Sequence, residues 1–320
     1  MAFVYSQLFV TPRIPPAASL TGQTAIITGS NVGLGKEAAR HLTALGCTKV
    51  ILAVRNTTAG EDARKDILAS TGVPPHTLEV WSLDLADYGS VKRFAKRAES
   101  ELQRIDILLE NAGIATDKFA LSEGHERTVT VNVVSTFLLA FLLLPKLKET
   151  AKKFAVKPRL SIVSSEVHAW TKFAEWKQPS IFPALDDEAT ANMQERYMTS
   201  KLLEVLAIRQ FAPKLAGTGV ILNYLNPGLC HSELGRDAGW SLYLLKMALA
   251  RSTEVGSRTL VCAAVAGEES QGKYMHDGKV DESALSPFVR SQDGEEAGRK
   301  VWGELKGILE GVQKGVTEGF

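Results

Sequence analysis

Tyr197 and Lys201 are the two residues whose types and spacing most directly suggest chemistry. Four positions apart on a helix, they lie on one face, about one turn from each other. If both side chains face a cleft, the lysine ammonium favours the phenolate and lowers the tyrosine pKa from about 10. The tyrosine then becomes usable as an acid or base near neutral pH. The same spacing is also typical of an exposed helical pair, so the surrounding elements must decide.

A glycine-rich turn separates the first predicted strand from the first long predicted helix. The strand is Thr24–Thr28, the helix runs from about Lys36 to Leu45, and the turn contains Gly29, Gly33 and Gly35. Glycine is needed where a backbone turns sharply and approaches a pyrophosphate, whose charge rests against the helix N-terminus. The spacing is GxxxGxG, which differs from the commoner GxGxxG. A turn without a ligand is the alternative, but the strand–loop–helix context favours a dinucleotide.

The end of the second predicted strand indicates which dinucleotide binds. An acidic residue there would bind the adenosine ribose hydroxyls and indicate NAD, whereas this chain has Arg55, in the stretch Ala-Val-Arg-Asn. A guanidinium matches a 2′-phosphate through forked, charge-assisted hydrogen bonds. The sequence therefore predicts NADP(H), and a solvated surface arginine is the alternative.

Short apolar strands alternate with longer helices over roughly 200 residues, which predicts an α/β fold with a doubly wound parallel sheet, the Rossmann fold. The predicted strands are Thr24–Thr28, Lys49–Val54, Thr77–Leu83, Ile105–Leu109, Arg159–Val163 and Gly219–Leu225. The predicted helices are Lys36–Leu45, Thr58–Ser70, Ser90–Arg104, Gly124–Glu149, Ala191–Leu215 and Gly294–Val312. Because no Pro- or Gly-rich linker separates two halves, residues 21–320 are predicted to form one NADP-binding catalytic domain. Residues 1–20 precede it as an N-terminal arm.

Composition excludes several function classes. The net charge of +1 over 320 residues offers no basic face for nucleic acid, and three widely spaced cysteines without a CxxC motif indicate no metal site. The longest apolar run, Val133–Leu144, is too short to span a bilayer. Phe3–Val10 is apolar without a basic flank and is followed by prolines, so we expect a peripheral arm, not a signal peptide. A cytoplasmic protein fits these features.

Seven motifs occur in the same order as in the short-chain dehydrogenases/reductases. The chain resembles this family over about residues 21–313. The motifs are Thr28-Gly29-x-x-x-Gly33-Leu34-Gly35, Asp84-Leu85, Asn111-Ala112-Gly113, Asn132, Ser165, Tyr197-x-x-x-Lys201 and Asn226-Pro227-Gly228. The Ala-Val-Arg-Asn stretch and residues 272–279 resemble the retinol-dehydrogenase-like branch of that family. Each motif is modest alone, but seven in register make a chance match implausible.

The resemblance implies four catalytic residues. Ser165 would hydrogen-bond the substrate oxygen, whereas its neighbour Ser164 would point the other way along the strand. Tyr197 would act as the general acid in carbonyl reduction and as the base in the reverse direction. Lys201 would lower the tyrosine pKa and bind the nicotinamide ribose. Asn132 would bend its helix and hold a water in a proton relay to solvent.

The resemblance also implies a set of cofactor-binding residues. Asp84 would hold the adenine edge with Leu85 against the ring, and Ser232 would touch the carboxamide or a phosphate. The full implied set is Gly29, Asn31, Gly33, Leu34, Gly35, Arg55, Asp84, Leu85, Asn111, Ala112, Gly113, Tyr197, Lys201, Pro227, Gly228 and Ser232.

The chain departs from the family pattern at three places. Glu110 replaces the first asparagine of the family's NNAG motif, and a carboxylate there must find a partner or solvent. Ser135 replaces a glycine often seen after Asn132. Ser165 and Tyr197 are 32 positions apart, where the family usually has about a dozen residues.

The long stretch between Ser165 and Tyr197 is an aromatic insertion. It contains Trp170, Phe173, Trp176 and Phe182. These rings would either wall a pocket for a bulky, apolar substrate or pin a long loop to the domain. His168 is expected to make a structural hydrogen bond, with substrate contact as the alternative.

Three further segments have a predicted role. Residues 230–250 fall where the family has a mobile substrate lid, although their apolar spacing also fits a core helix. The C-terminal helix is amphipathic with mixed charges, so packing on its own domain is expected over a membrane or partner. The resemblance implies a possible homodimer through the helices containing Val133–Leu144 and Leu202–Phe211, whose apolar character burial inside a monomer also explains.

The sequence thus predicts an NADP(H)-dependent oxidoreductase that interconverts a ketone or aldehyde and an alcohol. Its substrate would be a bulky, largely apolar small molecule, such as a specialised metabolite or a lipid-like compound. Two alternatives stay open: C=C reduction or isomerisation on the same scaffold, and a non-catalytic NADP-binding regulatory protein.

Overall fold

An eight-stranded sheet with helices on both faces forms the centre of the protein. The computed structural model describes residues 2–15, 19–231, 234 and 249–318. The strand order is β3-β2-β1-β4-β7-β8-β9-β10, with every neighbouring pair parallel except β9 and β10. The chain leaves β1 toward β2 and β3 and then returns to the other side of β1 with β4. This reversal places a topological switch point at the carboxyl ends of β1 and β4, where open α/β sheets bind ligands.

The strands of the main sheet are β1 (Thr24–Thr28), β2 (Lys49–Val54), β3 (Leu78–Ser82), β4 (Ile107–Glu110), β7 (Arg159–Val163), β8 (Ile221–Asn226), β9 (Tyr274–His276) and β10 (Lys279–Val280). A separate hairpin pairs β5 (Leu121–Ser122) with β6 (His125–Glu126). The helices are α1 (Ala2–Phe9), α2 (Gly33–Ala44), α3 (Thr57–Thr71), α4 (Tyr88–Glu101), α5 (Arg127–Phe154), α6 (Ile181–Leu185), α7 (Met193–Phe211), α8 (Thr253–Val265) and α9 (Gln292–Val312).

These elements confirm the predicted parallel α/β sheet, and the differences lie mostly at their ends. Helix α2 begins at Gly33, three residues before the predicted start, because the glycine turn itself enters the first helical turn. The predicted helix from Gly124 begins only at Arg127, since β5 and β6 form a hairpin just before it. The Glu126 carboxylate caps this helix by accepting from the backbone N–H groups of Thr128 and Val129.

Helix α5 is the apolar centre of one layer. By length and composition it could cross a membrane, but 89% of its most apolar window is buried inside the protein. It therefore acts as a core helix here. Residues 130–134 form a π-helical turn that includes Asn132, which confirms the expected distortion of the helix at this residue.

The N-terminal arm is more closely attached than the prediction of a peripheral arm implies. It begins with helix α1, which contacts the loop after β8. The Gln7 side chain accepts from the Leu229 N–H and donates to the Leu229 carbonyl, both at 3.1 Å. Arg251 donates to the carbonyls of Ser6 and Val10, at 2.8 and 3.0 Å. The arm is thus bound to the domain near the predicted nicotinamide end of the cofactor site.

The C-terminal helix α9 packs on its own domain, as predicted. Its buried face includes Val301, Trp302 and Leu305. The Trp302 ring stacks on Phe211 of α7 and Phe141 of α5, with centroids 5.7 and 5.8 Å apart. Phe141 and Phe211, which lie in the two segments considered for dimerisation, are therefore packed against α9 of the same chain.

The aromatic insertion is mostly pinned to the domain. Phe173 and Phe182 are 2% and 1% exposed and belong to the core, whereas Trp170 is 49% exposed. The Glu304 carboxylate of α9 accepts from the backbone N–H groups of Ile181 and Phe182. The pinning interpretation therefore holds for Phe173 and Phe182, and Trp170 is the ring with a large exposed surface.

Candidate active site

The glycine turn has the shape that a bound pyrophosphate requires. Gly29 and Gly33 have φ values of +65° and +60°, which a residue with a side chain rarely adopts. A Cβ on Gly29 would lie 2.9 Å from the Ala112 Cα, and one on Gly35 would lie 2.6 Å from the Gly29 carbonyl oxygen. A Cβ on Gly33 would project into open space. The turn is thus closely packed at Gly29 and Gly35 and open to solvent or a ligand at Gly33.

The start of α2 fits an anionic group for a second reason. Val32 occupies the N-cap position, and its side chain provides no cap to the first backbone N–H groups. Those donors and the helix dipole therefore stay available to an anion, as expected of a pyrophosphate site. Asn31 and Leu34, both predicted to bind the cofactor, lie on either side of this position.

Asn111 connects the end of β4 to the glycine turn. Its side-chain amide donates to the carbonyls of Thr28 and Gly29, at 2.9 and 3.2 Å. The Thr28 hydroxyl accepts from the backbone N–H groups of Asn111 and Ala112. The two strand ends at the switch point are thus fixed to each other, with Gly113 leading toward Asn132 and Lys201. A Cβ on Gly113 would lie 3.3 Å from Asn132 Oδ1 and 3.8 Å from Lys201 Nζ.

The predicted adenosine-binding residues follow β2 and β3 at the same edge of the sheet. Arg55 is exposed, and within the described residues its side chain makes no hydrogen bond or ion pair. Asp84 accepts a hydrogen bond from the Ala86 N–H at 2.9 Å. Leu85 is 6% exposed, and its carbonyl accepts from the Ser135 hydroxyl at 2.6 Å. Arg55 is therefore free to meet a phosphate, and the Asp84 loop is fixed in place.

Tyr197, Ser165 and Lys201 converge at the carboxyl end of β7. The Ser165 side chain lies close enough to the Tyr197 hydroxyl to lower its pKa. Lys201 Nζ lies 5.9 Å from the centre of the Tyr197 ring and donates to the Val163 carbonyl at 2.9 Å. Ser164 turns away and donates to the Lys201 carbonyl, which agrees with the predicted strand alternation. The sequence-predicted hydroxyl, phenol and ammonium are thus brought together.

The pKa of Tyr197 differs from the prediction. Burial raises the Tyr197 pKa, and the charge of the Glu204 carboxylate raises it further. The Lys201 ammonium and the nearby Ser165 hydroxyl lower it. The net pKa is raised, so the prediction of a value below 10 is wrong for the protein alone. Lys201 acts in the predicted direction, but burial outweighs its charge.

Asn132 is completely buried and held at the π-helical turn. Its amide exchanges two hydrogen bonds with the Ile114 backbone, at 2.8 and 2.9 Å, and donates to the Ser200 hydroxyl at 3.0 Å. Ser200 donates in turn to the Tyr197 carbonyl. Asn132 is therefore coupled to the tyrosine's own helix through Ser200, a residue that the sequence reasoning did not select.

His168 has the structural role that was expected. Its Nδ1–H donates to the Ser165 carbonyl at 2.7 Å, and its Nε2 accepts from the Ser286 N–H at 3.1 Å. Burial lowers its pKa. The neutral imidazole thus fixes the backbone of Ser165.

The loop after β8 completes the site. Gly228 has a φ of +79°, and its N–H donates to the Asn226 side chain at 2.9 Å. A Cβ there would lie 2.4 Å from Gln7 Oε1, so glycine lets the N-terminal arm approach the Pro227-Gly228 turn. Ser232 and most of the predicted lid, residues 235–248, lie outside the described residues.

Comparison with known proteins identifies the chain. A profile of the short chain dehydrogenase family matches residues 23–156. The short chain dehydrogenase/reductase dmxR8 of Cryptosporiopsis sp. is 48% identical over the whole of both chains. The short-chain dehydrogenase anuD of Penicillium roqueforti is 47% identical over 99% of this chain and 84% of its own. The protein belongs to the short-chain dehydrogenase/reductase family.

Solved structures agree with the fold of this short-chain dehydrogenase/reductase. A crystal structure of an uncharacterised Mycobacterium paratuberculosis protein is 26% identical, with a TM-score of 0.68 over 93% of this chain and 96% of its own. Pseudomonas aeruginosa RhlG in complex with NADP is 23% identical, with a TM-score of 0.62 over 82% and 96%. The chain is thus an oxidoreductase acting on CH–OH and C=O groups. Its branch within the family stays a prediction.

Glu204 is the residue nearest this dehydrogenase/reductase centre that sequence reasoning missed. Its carboxylate accepts from Lys201 Nζ at 2.7 Å, and both side chains are buried. The signal was available, because Glu204 follows Lys201 by three positions on the same helix. Glu110 was noticed as a departure, and it finds neither the partner nor the solvent that was expected. It is 3% exposed, and neither carboxyl oxygen has a hydrogen-bond partner among the described residues.

Proposed function

We propose that the protein interconverts a ketone or aldehyde and an alcohol with NADP(H). The main support is the meeting of Ser165, Tyr197 and Lys201 beside the glycine turn at the switch point of the sheet. A hydroxyl and a phenol that lie this close together can both reach one substrate oxygen. The intact Asn132 and Lys201 behind them favour carbonyl chemistry over C=C reduction, isomerisation or a binding role alone.

The chain's own residues have distinct tasks in this reaction. The Ser165 hydroxyl polarises the substrate oxygen, and Tyr197 donates its proton to that oxygen as negative charge develops there. Lys201 stabilises the phenolate that this leaves and binds the nicotinamide ribose. Asn132 holds a water that links Lys201 to solvent. The nicotinamide supplies the hydride, and these residues supply position and electrostatics.

NADP(H) is the cofactor that best fits the predicted cofactor-binding residues. The glycine turn and the uncapped start of α2 accept the pyrophosphate, with Asn111, Ala112 and Gly113 beside the adenosine and Pro227 and Gly228 beside the nicotinamide. Arg55 meets the 2′-phosphate as an exposed guanidinium after β2. The solved RhlG complex contains NADP, which supports the same choice here.

The substrate is proposed to be bulky and largely apolar, a specialised metabolite or a lipid-like molecule. Trp170 leaves half its surface exposed five residues after Ser165 and therefore offers an apolar wall. Reduction is the expected direction, since cells generally keep NADPH reduced. We propose that the enzyme is cytoplasmic. The molecule that we expect it to bind, besides the cofactor, is its small-molecule substrate.

An NADPH assay tests this function. Purified protein is mixed with NADPH and a panel of bulky aromatic and alicyclic ketones, and the cofactor absorbance is followed with product identification. We expect consumption with at least one ketone and a loss of about 100-fold or more in Tyr197→Phe, since general acid catalysis contributes about 10²–10⁴-fold. Tyr5→Phe, at an exposed tyrosine of α1, is the matched control. Consumption that survives Tyr197→Phe would remove the tyrosine from the assigned role.

A further inference from the structure

A buried cluster of one ammonium and two carboxyl groups includes Lys201, whose Nζ lies 5.9 Å from the centre of the Tyr197 ring. Lys201, Glu204 and Glu110 are 4%, 1% and 3% exposed. Lys201 Nζ donates to Glu204 Oε1 at 2.7 Å and to the Val163 carbonyl at 2.9 Å. Glu110 is the last residue of β4, the strand next to β7. The proposed function uses the lysine alone and leaves both carboxyl groups unexplained.

Three carboxyl oxygens of this cluster lack a hydrogen-bond partner in the described part of the chain: both of Glu110 and Oε2 of Glu204. An isolated buried carboxylate costs several kcal/mol, so groups of this kind usually take up a proton. One ammonium and two carboxyl groups are neutral together when one carboxyl group is protonated.

The charges that act on the cluster are few. Helix α7 contributes Tyr197, Lys201 and Glu204, and β4 contributes Glu110. The end of β7 contributes Ser164, whose hydroxyl donates to the Lys201 carbonyl and lies near Glu204. Helix α5 contributes the neutral amide of Asn132. Among the described residues, no other charged side chain acts on these four ionisable groups.

The pKa directions identify the carboxyl group that holds the proton. Burial and the Glu204 charge raise the pKa of Glu110 well above its usual value. Burial raises the pKa of Glu204 to about 7, although Lys201 opposes the rise. Glu110 therefore keeps its proton at neutral pH, while Glu204 titrates there.

We propose that Glu204 is a positioning residue that sets how strongly the Lys201 charge acts on Tyr197, with Glu110 kept neutral next to it. Protonated Glu110 adds no charge to the cluster, and ionised Glu204 holds the Lys201 ammonium and offsets part of its charge. Tyr197 then stays a protonated acid, which suits carbonyl reduction. When Glu204 takes up a proton, Lys201 acts on the phenol in full and favours the phenolate. This inference rests on the roles proposed above for Tyr197 and Lys201.

Infrared spectroscopy of the purified, cofactor-free protein tests the neutral state of Glu110. We expect a carbonyl stretch of a protonated carboxyl group at neutral pH that Glu110→Gln removes. Glu166→Gln, at another carboxyl group whose pKa burial raises, should leave that band in place. A band that survives Glu110→Gln, or its absence from the wild type, would overturn the proposal.

The wild-type protein provides a version of this test that needs no folded variant. A second carboxyl stretch, from Glu204, should appear as the pH falls through about 7. A spectrum that does not change between about pH 6 and about pH 8, the window around that value, would contradict the assignment.

Tyrosine ionisation tests the effect on Tyr197 without any substrate. The difference between ultraviolet titrations of the wild type and Tyr197→Phe isolates this phenol. Glu204→Gln should lower its midpoint by about one pH unit or more, and Glu204→Asp should restore part of the shift. A merely structural Glu204 would leave the midpoint unchanged and overturn the proposal. Since no turnover is measured, failure here is distinguishable from failure of the ketone assay.

Discussion

At the scale of single residues, the site depends on side chains held from different strand and helix ends. Ser165 follows β7, and Tyr197 and Lys201 lie on α7, so only the fold brings them together. Their types and order could be read from the sequence. The raised pKa of Tyr197 could not, because it depends on how deeply the phenol is buried and on the charge of Glu204.

Arg55 carries the cofactor preference at this scale. We expect Arg55→Asp to raise the dissociation constant for NADPH about 10- to 100-fold and to leave that for NADH unchanged or lower. A charge-assisted hydrogen bond contributes about 1.5–3 kcal/mol, which corresponds to this range. Fluorescence titration with both cofactors provides the measurement.

The matched control for this prediction is Arg299→Asp, at an exposed position of the C-terminal helix α9, which contributes none of the predicted cofactor-binding residues. It should leave both affinities unchanged. An NADPH to NADH ratio that stays constant in Arg55→Asp would show that Arg55 does not bind the 2′-phosphate.

At the scale of elements, periodicity located most helices and strands, but not the contacts that adjust them. The start of α2 at Gly33 depends on left-handed glycine conformations, which allow the turn to merge with the helix. The docking of α1 depends on Gln7 and Leu229, which are 222 positions apart. No local pattern reports a contact of that range, so the arm was predicted to be peripheral.

Gln7 tests whether the arm supports the cofactor site. We expect Gln7→Ala to raise the KM for NADPH about 5- to 100-fold, because the two hydrogen bonds that hold the loop after β8 contribute about 0.5–1.5 kcal/mol each. Leu8→Ala, at a 52% exposed position of the same helix, is the control and should change little. Equal KM values in the two variants would mean that the arm does not position this loop.

At the scale of the whole molecule, the β-α repetition predicted the parallel sheet. It did not predict which surfaces the chain covers for itself. Trp302 stacks on Phe141 and Phe211, so α9 buries part of the apolar surface of α5 and α7 within the same chain. An amphipathic pattern reports that a helix has a buried face, but not which surface buries it.

Trp302 tests the contribution of this packing. We expect Trp302→Ala to lower the free energy of unfolding by about 3–5 kcal/mol, the usual cost of removing a large aromatic ring from a core. Trp170→Ala, at a 49% exposed position, should cost clearly less. Urea unfolding followed by circular dichroism measures both. Similar losses in the two variants would mean that α9 adds little to the core.

The central claim is that this enzyme transfers hydride to a carbonyl carbon with Tyr197 as the acid. The most direct measurement supplies NADPH deuterated at C4 of the nicotinamide, with a ketone that the enzyme consumes, and locates the label in the product by mass spectrometry and NMR. We predict one deuterium at the carbinol carbon, and no labelled product from Tyr197→Phe. Deuterium at a former alkene carbon, or labelled alcohol from Tyr197→Phe at the wild-type rate, would contradict it.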